Sequence, residues 1–362
     1  MRTKRPGLRF LSWGIIPAGL VIGAWACGAS VGAAASSSSD AATNADDAGA
    51  DVALVDPFGP PGPFGSPPVD NDDGPPGTVT VDDAAAEPNA AYSVTLTTQP
   101  FTVPANTEAF KCQDFANPFQ GQGVDIIRYD LSMNPGSHHM LLFYNQGATD
   151  GPVVDCSGLQ TGPYTFGAQS QKVTETYPAG VGAAIPAGTG FTVNMHYVNA
   201  GVQDITGVVK VTMFVAQPGV VTQHAGVFQF VQTNFSIPPD GQPHAISASC
   251  SVPQGQDVNL LSTGAHMHQR ATQFIATAGS TVLYQTDQWA EPPPRMYMPS
   301  LPLAAGSTID WSCTYVNDPS TTGGTPVPLT FGESALNNAM CNFNATYYPV
   351  ADPSNPVISC IH

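Results

Sequence analysis

Basic side chains are scarce in this chain. It has 10 Lys and Arg against 27 Asp and Glu, a formal net charge of −17 over 362 residues. Six basic and sixteen acidic residues remain after position 92. A folded portion so poor in cations has no patch with which to neutralise phosphates, which excludes nucleic acid as a partner. Helical periodicity is also lacking: no long segment repeats its apolar residues at the 3.6 spacing. No two cysteines form a CxxC pair, which speaks against a zinc ribbon or a thioredoxin-like redox motif. No internal repeat and no obvious catalytic triad are present. Outside residues 11–26 there is no long apolar run.

That one run, LSWGIIPAGLVIGAWA, follows a basic start and precedes Cys27. A charged beginning, a short apolar core and small residues describe an export signal over residues 1–27. A cysteine directly after Ala26 resembles a lipoprotein cleavage site, so Cys27 is the expected lipidation point. The protein is then exported to the periplasm or cell envelope and touches the membrane only through a lipid anchor. Residues 28–92 carry eleven acids, no Lys or Arg, and much Ala, Ser, Gly and Pro. Such a composition buries too little apolar surface to offset its ordering entropy, which predicts a disordered tether. Setting Cys27 aside leaves six cysteines, an even number suited to disulfides in an oxidising compartment, with fifteen connectivities open.

What is abundant after position 92 is short β-rich runs, such as GVDIIRYDL, HMLLFYN, GVVKVTMFV and STIDWSCTYV. Val, Ile, Thr, Phe and Tyr dominate them and Gly, Pro, Asn and Asp separate them. The pattern predicts an all-β chain of two tandem antiparallel β-sandwich, jelly-roll-like domains, 93–218 and 219–362, with the break where Pro and Gly interrupt AQPGVVTQ.

Five of the eight histidines fall in three places: His138 with His139, His196, and His266 with His268. In a strand the two histidines of HxH point to one face, a clamp set for a metal ion. Adjacent histidines in a regular strand point to opposite faces, so His138 and His139 need an irregularity to serve one ion. The turn residues Asn134-Pro135-Gly136 just before them predict a bulge or strand end there. Imidazole suits zinc, copper, iron and nickel. On these residues alone a zinc hydrolase or a cupin-like iron site fits as well as copper. His224, His244 and His362 belong to no such group and read as surface or structural residues. Trp289, Tyr297 and Trp311 read as packing residues, and Arg270 as an exposed salt-bridging one.

HHMLLF at 138–143, then His196-Tyr197, then His266-Met267-His268, then Met340-Cys341-Asn342 followed by Tyr347-Tyr348-Pro349, occur in that order. The ordered set resembles the copper type II ascorbate-dependent monooxygenases, a family that includes peptidylglycine alpha-hydroxylating monooxygenase and dopamine beta-monooxygenase. The likeness covers roughly residues 100–362. It implies two copper ions per chain, on two β-sandwiches facing each other across a solvent-filled cleft. His138, His139 and His196 would hold an electron-transfer copper. His266, His268 and Met340 would hold the copper that activates O2, and these three form the catalytic set. A thioether favours Cu(I), which supports that division. The resemblance implies disulfides Cys112–Cys156, Cys250–Cys360 and Cys313–Cys341. It implies hydroxylation of a C–H bond in a small organic substrate, with O2 and an electron donor such as ascorbate or an equivalent.

The substrate anchors depart from the pattern. Gly264 stands where the peptide-amidating members carry an arginine that grips a carboxylate, which disfavours a glycine-extended peptide. Asn344 replaces a tyrosine, Asn194 replaces a glutamine, and Asn342 is kept as the candidate substrate-binding residue. Retention of both ligand sets favours the enzyme, because storage would not need two dissimilar centres. The loss of these anchors leaves open a second reading, an exported copper-binding lipoprotein, for sequestration or sensing, without turnover.

Overall fold

The computed structural model describes residues 77–83, 87–159, 162–322 and 326–362. The export signal, Cys27 and most of the expected tether lie outside them. The described chain is all-β: among the described residues the one helix is the four-residue turn Pro319–Thr322. One correction concerns the tether. Thr78–Asp82 forms a strand antiparallel to Ala90–Thr97, so pairing begins inside the stretch expected to be disordered. Thr-Val-Thr-Val alternates β-branched residues, and this local preference for extended backbone overrides the acidic composition around it.

Two hydrophobic cores organise the rest. In the first, Leu96, Tyr129, Val211 and Met213 of one sheet meet Phe115, Met140, Val193 and Tyr197 of a five-stranded sheet. The rings of Tyr129 and Phe166 stack at 4.7 Å across this core. Strand Val209–Ala216 shows the cause of the layering, since its residues alternate between buried and half-buried along the whole strand. In the second core Phe228, Phe230, Phe343 and Tyr347 meet Phe274, Trp311 and Tyr315 of a four-stranded sheet. Trp311 is fully enclosed and satisfies its indole by donating to the Cys341 carbonyl at 3.1 Å.

The two halves are not separated by a free linker. Val181–Ile185 pairs in parallel with Gln223–Gln232, so one eleven-stranded sheet runs through both. Gln223–Gln232 also pairs in parallel with Val357–Ile361, so the sandwiches are not purely antiparallel. The loop at 217–222 that joins the halves is itself tied down, the Gln217 N–H donating to the Asn89 carbonyl and the Thr222 and Gln223 N–H groups to the Gly180 carbonyl. The six described cysteines form Cys112–Cys156, Cys250–Cys360 and Cys313–Cys341, the pairs the resemblance implies. Three disulfides suit an oxidising, extracellular setting.

Candidate metal centre

In the five-stranded sheet, strand Thr189–Asn199 lies between Thr107–Phe115 and Ser137–Gln146. Val193, Met195 and Tyr197 point into the first core, which turns Asn194 and His196 outward. Yet Asn194 is 1% and His196 0% exposed, because the second half packs over that face. His139 lies directly opposite His196 in the register. The next pair is Ser137 with Tyr197, so His138 is the extra residue of a bulge, as Asn134-Pro135-Gly136 led us to expect. Gly136 has φ +92°, which a side chain would strain, and the chain turns there into the strand.

A second irregularity, not foreseen, sets the other pair. Along Val258–Met267, Val258 and Leu260 face the second core, and so do Ala265 and Met267. The even-numbered and then the odd-numbered residues point inward because the register shifts between Leu260 and Ser262. That one-residue slip sends Gly264 and His266 away from their own core. Cys341 pairs with Met267, so Met340 lies beside His268 at the strand end. The Tyr315 hydroxyl joins them, accepting from the His268 N–H at 3.1 Å and donating to the Met340 carbonyl at 2.6 Å.

The cleft implied by the resemblance is absent between the two sets among the described residues. His138, His139 and His196 offer nitrogens within 4.8 Å of one another, and so do His138, His266 and His268. His138 is common to both groups. Its ring centre is 4.9 Å from His196 and 5.0 Å from His266. All five rings are buried, at 9% exposure or less. The two sandwiches pack outer face to outer face here, and this contact removes the solvent that would otherwise lie between the histidines.

The donors fit a metal ion. Both nitrogens of His139, Nε2 of His138 and Nδ1 of His196 are buried without a hydrogen-bond partner. Leaving such groups unpaired costs about 1–3 kcal/mol each, which an ion on their lone pairs would offset. Burial first, and the neighbouring imidazoles second, push His138 and His266 well below the usual histidine range, and His268 falls to about 3 by burial first and His196 second. The rings are therefore neutral near pH 7 and their lone pairs are available. Nε2 of His266 lies 3.2 Å from Nε2 of His268, close to the roughly 3.3 Å between two imidazole nitrogens on one tetrahedral ion.

Two side chains that the sequence did not single out orient these rings. Gln169 Oε1 accepts from Nδ1 of His266 at 3.0 Å, leaving Nε2 of that ring free to ligate. Its amide nitrogen donates to the Trp289 carbonyl at 2.6 Å and approaches Nδ1 of His138 at 3.2 Å. The Glu108 carboxylate accepts from Nε2 of His196 at 2.9 Å. Burial pushes Glu108 up, but hydrogen bonds from His196, Ser334, Leu336 and Ala335 outweigh it and hold the acid at about 2. Outer partners of this kind fix a ligand's tautomer. A lone Glu in a strand or Gln in a turn carries no sequence signal of such a role.

A cavity of about 400 Å³ adjoins the cluster, with His139, His266, Met340 and Asn342 in its wall. Leu141, Phe166, Val227 and Val231 make it mainly apolar, and Leu159, Met296 and Ile361 at its rim are exposed. Among the described residues no Lys or Arg lines it. Glu175 is the one carboxyl among the described residues of its wall, buried, bonded by the Ser262 hydroxyl at 3.0 Å and raised above the usual range by burial. A Cβ on Gly264 would meet nothing within 4 Å, so this position opens into space where a side chain could stand. Asn342 donates to the Met340 sulfur at 3.8 Å and leaves Oδ1 unpaired.

Other expectations resolve individually. Asn194 braces the first disulfide, donating toward Cys112 and Cys156 sulfurs and the Ser157 carbonyl. Arg270 is corrected: it donates to Asn317 and the Leu336 carbonyl, pinning the segment before Met340 where an exposed salt bridge was expected. Trp289 is both a packing residue and a neighbour of the cluster, its ring 6.0 Å from His138. His224 and His244 pair with Asp125 and Asp240. His362 lies against the Cys250–Cys360 disulfide, whose sulfurs are already bonded to each other.

No family model matches the chain, and no curated protein does. A solved structure of the infectious bursal disease virus Gx strain is 9% identical over 72% of this chain and 82% of that one, with a TM-score of 0.15, too low to support any argument.

Proposed function

We propose that the protein is a copper-dependent monooxygenase that hydroxylates a C–H bond of an apolar organic molecule, using O2 and an external reductant such as ascorbate. The observation that carries this reading is the buried convergence of five neutral imidazoles beside Met340 on the wall of an organic-sized cavity. Volumes of about 300–1,000 Å³ with apolar walls suit small organic ligands. His138, His139 and His196 would hold one copper, and His266, His268 and Met340 the other. Bound copper supplies the one-electron chemistry that O2 activation needs.

The chain's own residues do the rest. Gln169 and Glu108 hold three rings in ligating orientations. The buried faces of the two sandwiches keep bulk water from the histidines. The apolar wall turns the hydrocarbon part of a ligand toward Met340, while Asn342 and Glu175 offer hydrogen-bonding ends. Without a cation in the wall, a free carboxylate on the substrate would be left unpaired, so substrates lack one. Export through residues 1–27 and anchoring at Cys27 belong to the same proposal, and the disulfides agree with that compartment.

The second reading is a non-catalytic exported copper-binding protein. The sharing of His138 between the groups favours it, since a closed cluster suits retention. The adjoining cavity favours the enzyme, because storage needs no room for an organic molecule. Copper reconstitution, metal counting and reductant-dependent O2 uptake with apolar substrates separate the two. Substrate-coupled uptake with copper bound supports the monooxygenase. Tight copper without coupled uptake supports storage. Preference for zinc over copper overturns both.

A further inference from the structure

Glu108 does more than touch one ring. Its carboxylate takes four donors: His196 Nε2 at 2.9 Å, Ser334 Oγ at 2.7 Å, and the backbone N–H groups of Ala335 and Leu336, each at 2.9 Å. The first donor belongs to the first sandwich and the other three to the second. Segment 334–336 is tied in turn to the second histidine pair, because the Ala335 carbonyl accepts from the Gln269 N–H at 3.1 Å, next to His268. Four residues after Leu336 comes Met340. One carboxylate, 9% exposed, thus connects a ligand of the first triad to the frame that carries His268 and Met340.

We propose that Glu108 is a positioning residue that couples the two triads, fixing His196 as an Nδ1 ligand and passing the state of the first triad to the Met340 segment. This rests on the metal reading above. With Nε2–H given to Glu108, the buried and otherwise unpartnered Nδ1 of His196 is the nitrogen that remains for an ion. An ion on Nδ1 polarises the ring and strengthens the Nε2–H bond to the carboxylate. The carboxylate is then held more firmly in place, and so are the three donors from the second sandwich. By linkage, ordering of the Met340 segment must favour metal on the first triad to the same degree.

Glu108→Gln tests this in the full chain. An amide keeps the size but has one acceptor oxygen, so it cannot serve all four donors, and its own N–H groups would face others. The probe is Cu(II), followed by metal titration, electron paramagnetic resonance and hydrogen exchange of residues 331–340. In the wild-type protein copper should slow exchange of that segment by about tenfold or more, the scale of an ordinary coupling between sites. In Glu108→Gln the first-triad affinity should fall by about 10–100-fold, the nitrogen hyperfine pattern should change, and copper should no longer protect 331–340. Ser334→Ala removes one far-side donor and leaves the His196 contact, so the ratio of exchange without and with copper should shrink, first-triad affinity should fall by the same factor, and the spectrum should stay wild-type. Taking the ratio within the variant cancels the loss of the Asn337 bonds to Ser334. This variant decides the matter where Glu108→Gln does not fold.

Unchanged affinity and protection in Glu108→Gln would overturn the coupling, and so would full protection in Ser334→Ala. Failure of the wild-type protein to bind copper would overturn the metal reading instead. In that event the ¹⁵N shifts of His196 in metal-free protein still test the positioning role, and a proton on Nδ1 in place of Nε2 sinks it.

Discussion

The two halves of the centre are built differently. In the first sandwich three imidazoles come from two paired strands, and a bulge at His138 brings neighbours to one side. In the second, His266 stands near the end of a strand and His268 just past it, and the proposed third group, Met340, comes 72 residues after His268, just before strand Cys341–Tyr348. The first is set by backbone irregularity within a sheet. The second depends on long-range devices: the Tyr315 hydroxyl between His268 and Met340, and the Cys313–Cys341 bond one residue away. Each half also lends the other its orientation. Gln169 of the first sandwich sets His266 of the second, and Ser334, Ala335 and Leu336 of the second hold the first sandwich's Glu108, which sets His196. A site divided over two sandwiches is thus not two independent sites, and the variants that separate them are informative.

The largest effect is expected at the shared residue. His138→Ala should weaken metal at both triads, by about 100-fold or more at the tighter one, whereas His139→Ala should spare the His266–His268 pair. Metal counting after dialysis against a graded chelator checks this, and equal losses in the two variants would contradict the asymmetry. Next comes Met340→Leu, of similar size but without a donor sulfur. It should leave copper on the first triad and the fold intact, and lower turnover by about 100-fold, a loss of roughly 2.7 kcal/mol. Wild-type turnover in that variant would remove Met340 from the site.

A third prediction concerns pH and metal-free protein. The clustered histidines have folded values below the ordinary 6.5, from burial first. Below that pH the unfolded chain binds protons that the folded chain refuses. Their contribution to stability is therefore complete above about 6.5 and declines as pH falls toward about 3, the folded value of His268. Glu108, at about 2 against an ordinary 4.5, has its own contribution above 4.5 and loses it as pH falls through that lower window. Denaturant titrations from pH 7 to 5 should show a loss of about 1.4 kcal/mol per pH unit for each proton taken up. A flat profile would mean the five rings are not buried together in solution.

The smallest effect is expected in the cavity. Gly264→Val adds atoms into open space, so folding should change by less than about 1 kcal/mol, while binding of an apolar probe such as an alkylbenzene should weaken several-fold. Isothermal titration and thermal melts on the same samples separate the two quantities.

Much of this was legible from residue patterns. Alternation of apolar and polar residues announced the strands, and in FTVNMHYVN the apolar Val193 and Met195 alternate with Asn194 and His196, which puts those two on one polar face. Asn134-Pro135-Gly136 announced the irregularity that His138 occupies. The slip at Leu261 was not legible, because nothing in NLLSTG distinguishes a bulged strand from a regular one. Thr78–Asp82 was missed because acidic surroundings outweighed a short β-branched alternation. Glu108 and Gln169 were missed because each acts across a contact between distant parts of the chain.

The sequence by itself determined the all-β class, the candidate donor atoms and the side of each strand on which most of them stand, since these follow from local propensity and the two-residue period of a strand. Only the tertiary structure decided that the outer faces of the two sandwiches close on each other. With that contact five histidines lose their water, His138 enters both groups, and the Glu108 and Gln169 side chains reach across. The physical reason is that desolvation and cross-sandwich hydrogen bonds depend on which surfaces meet, and no local pattern carries that information.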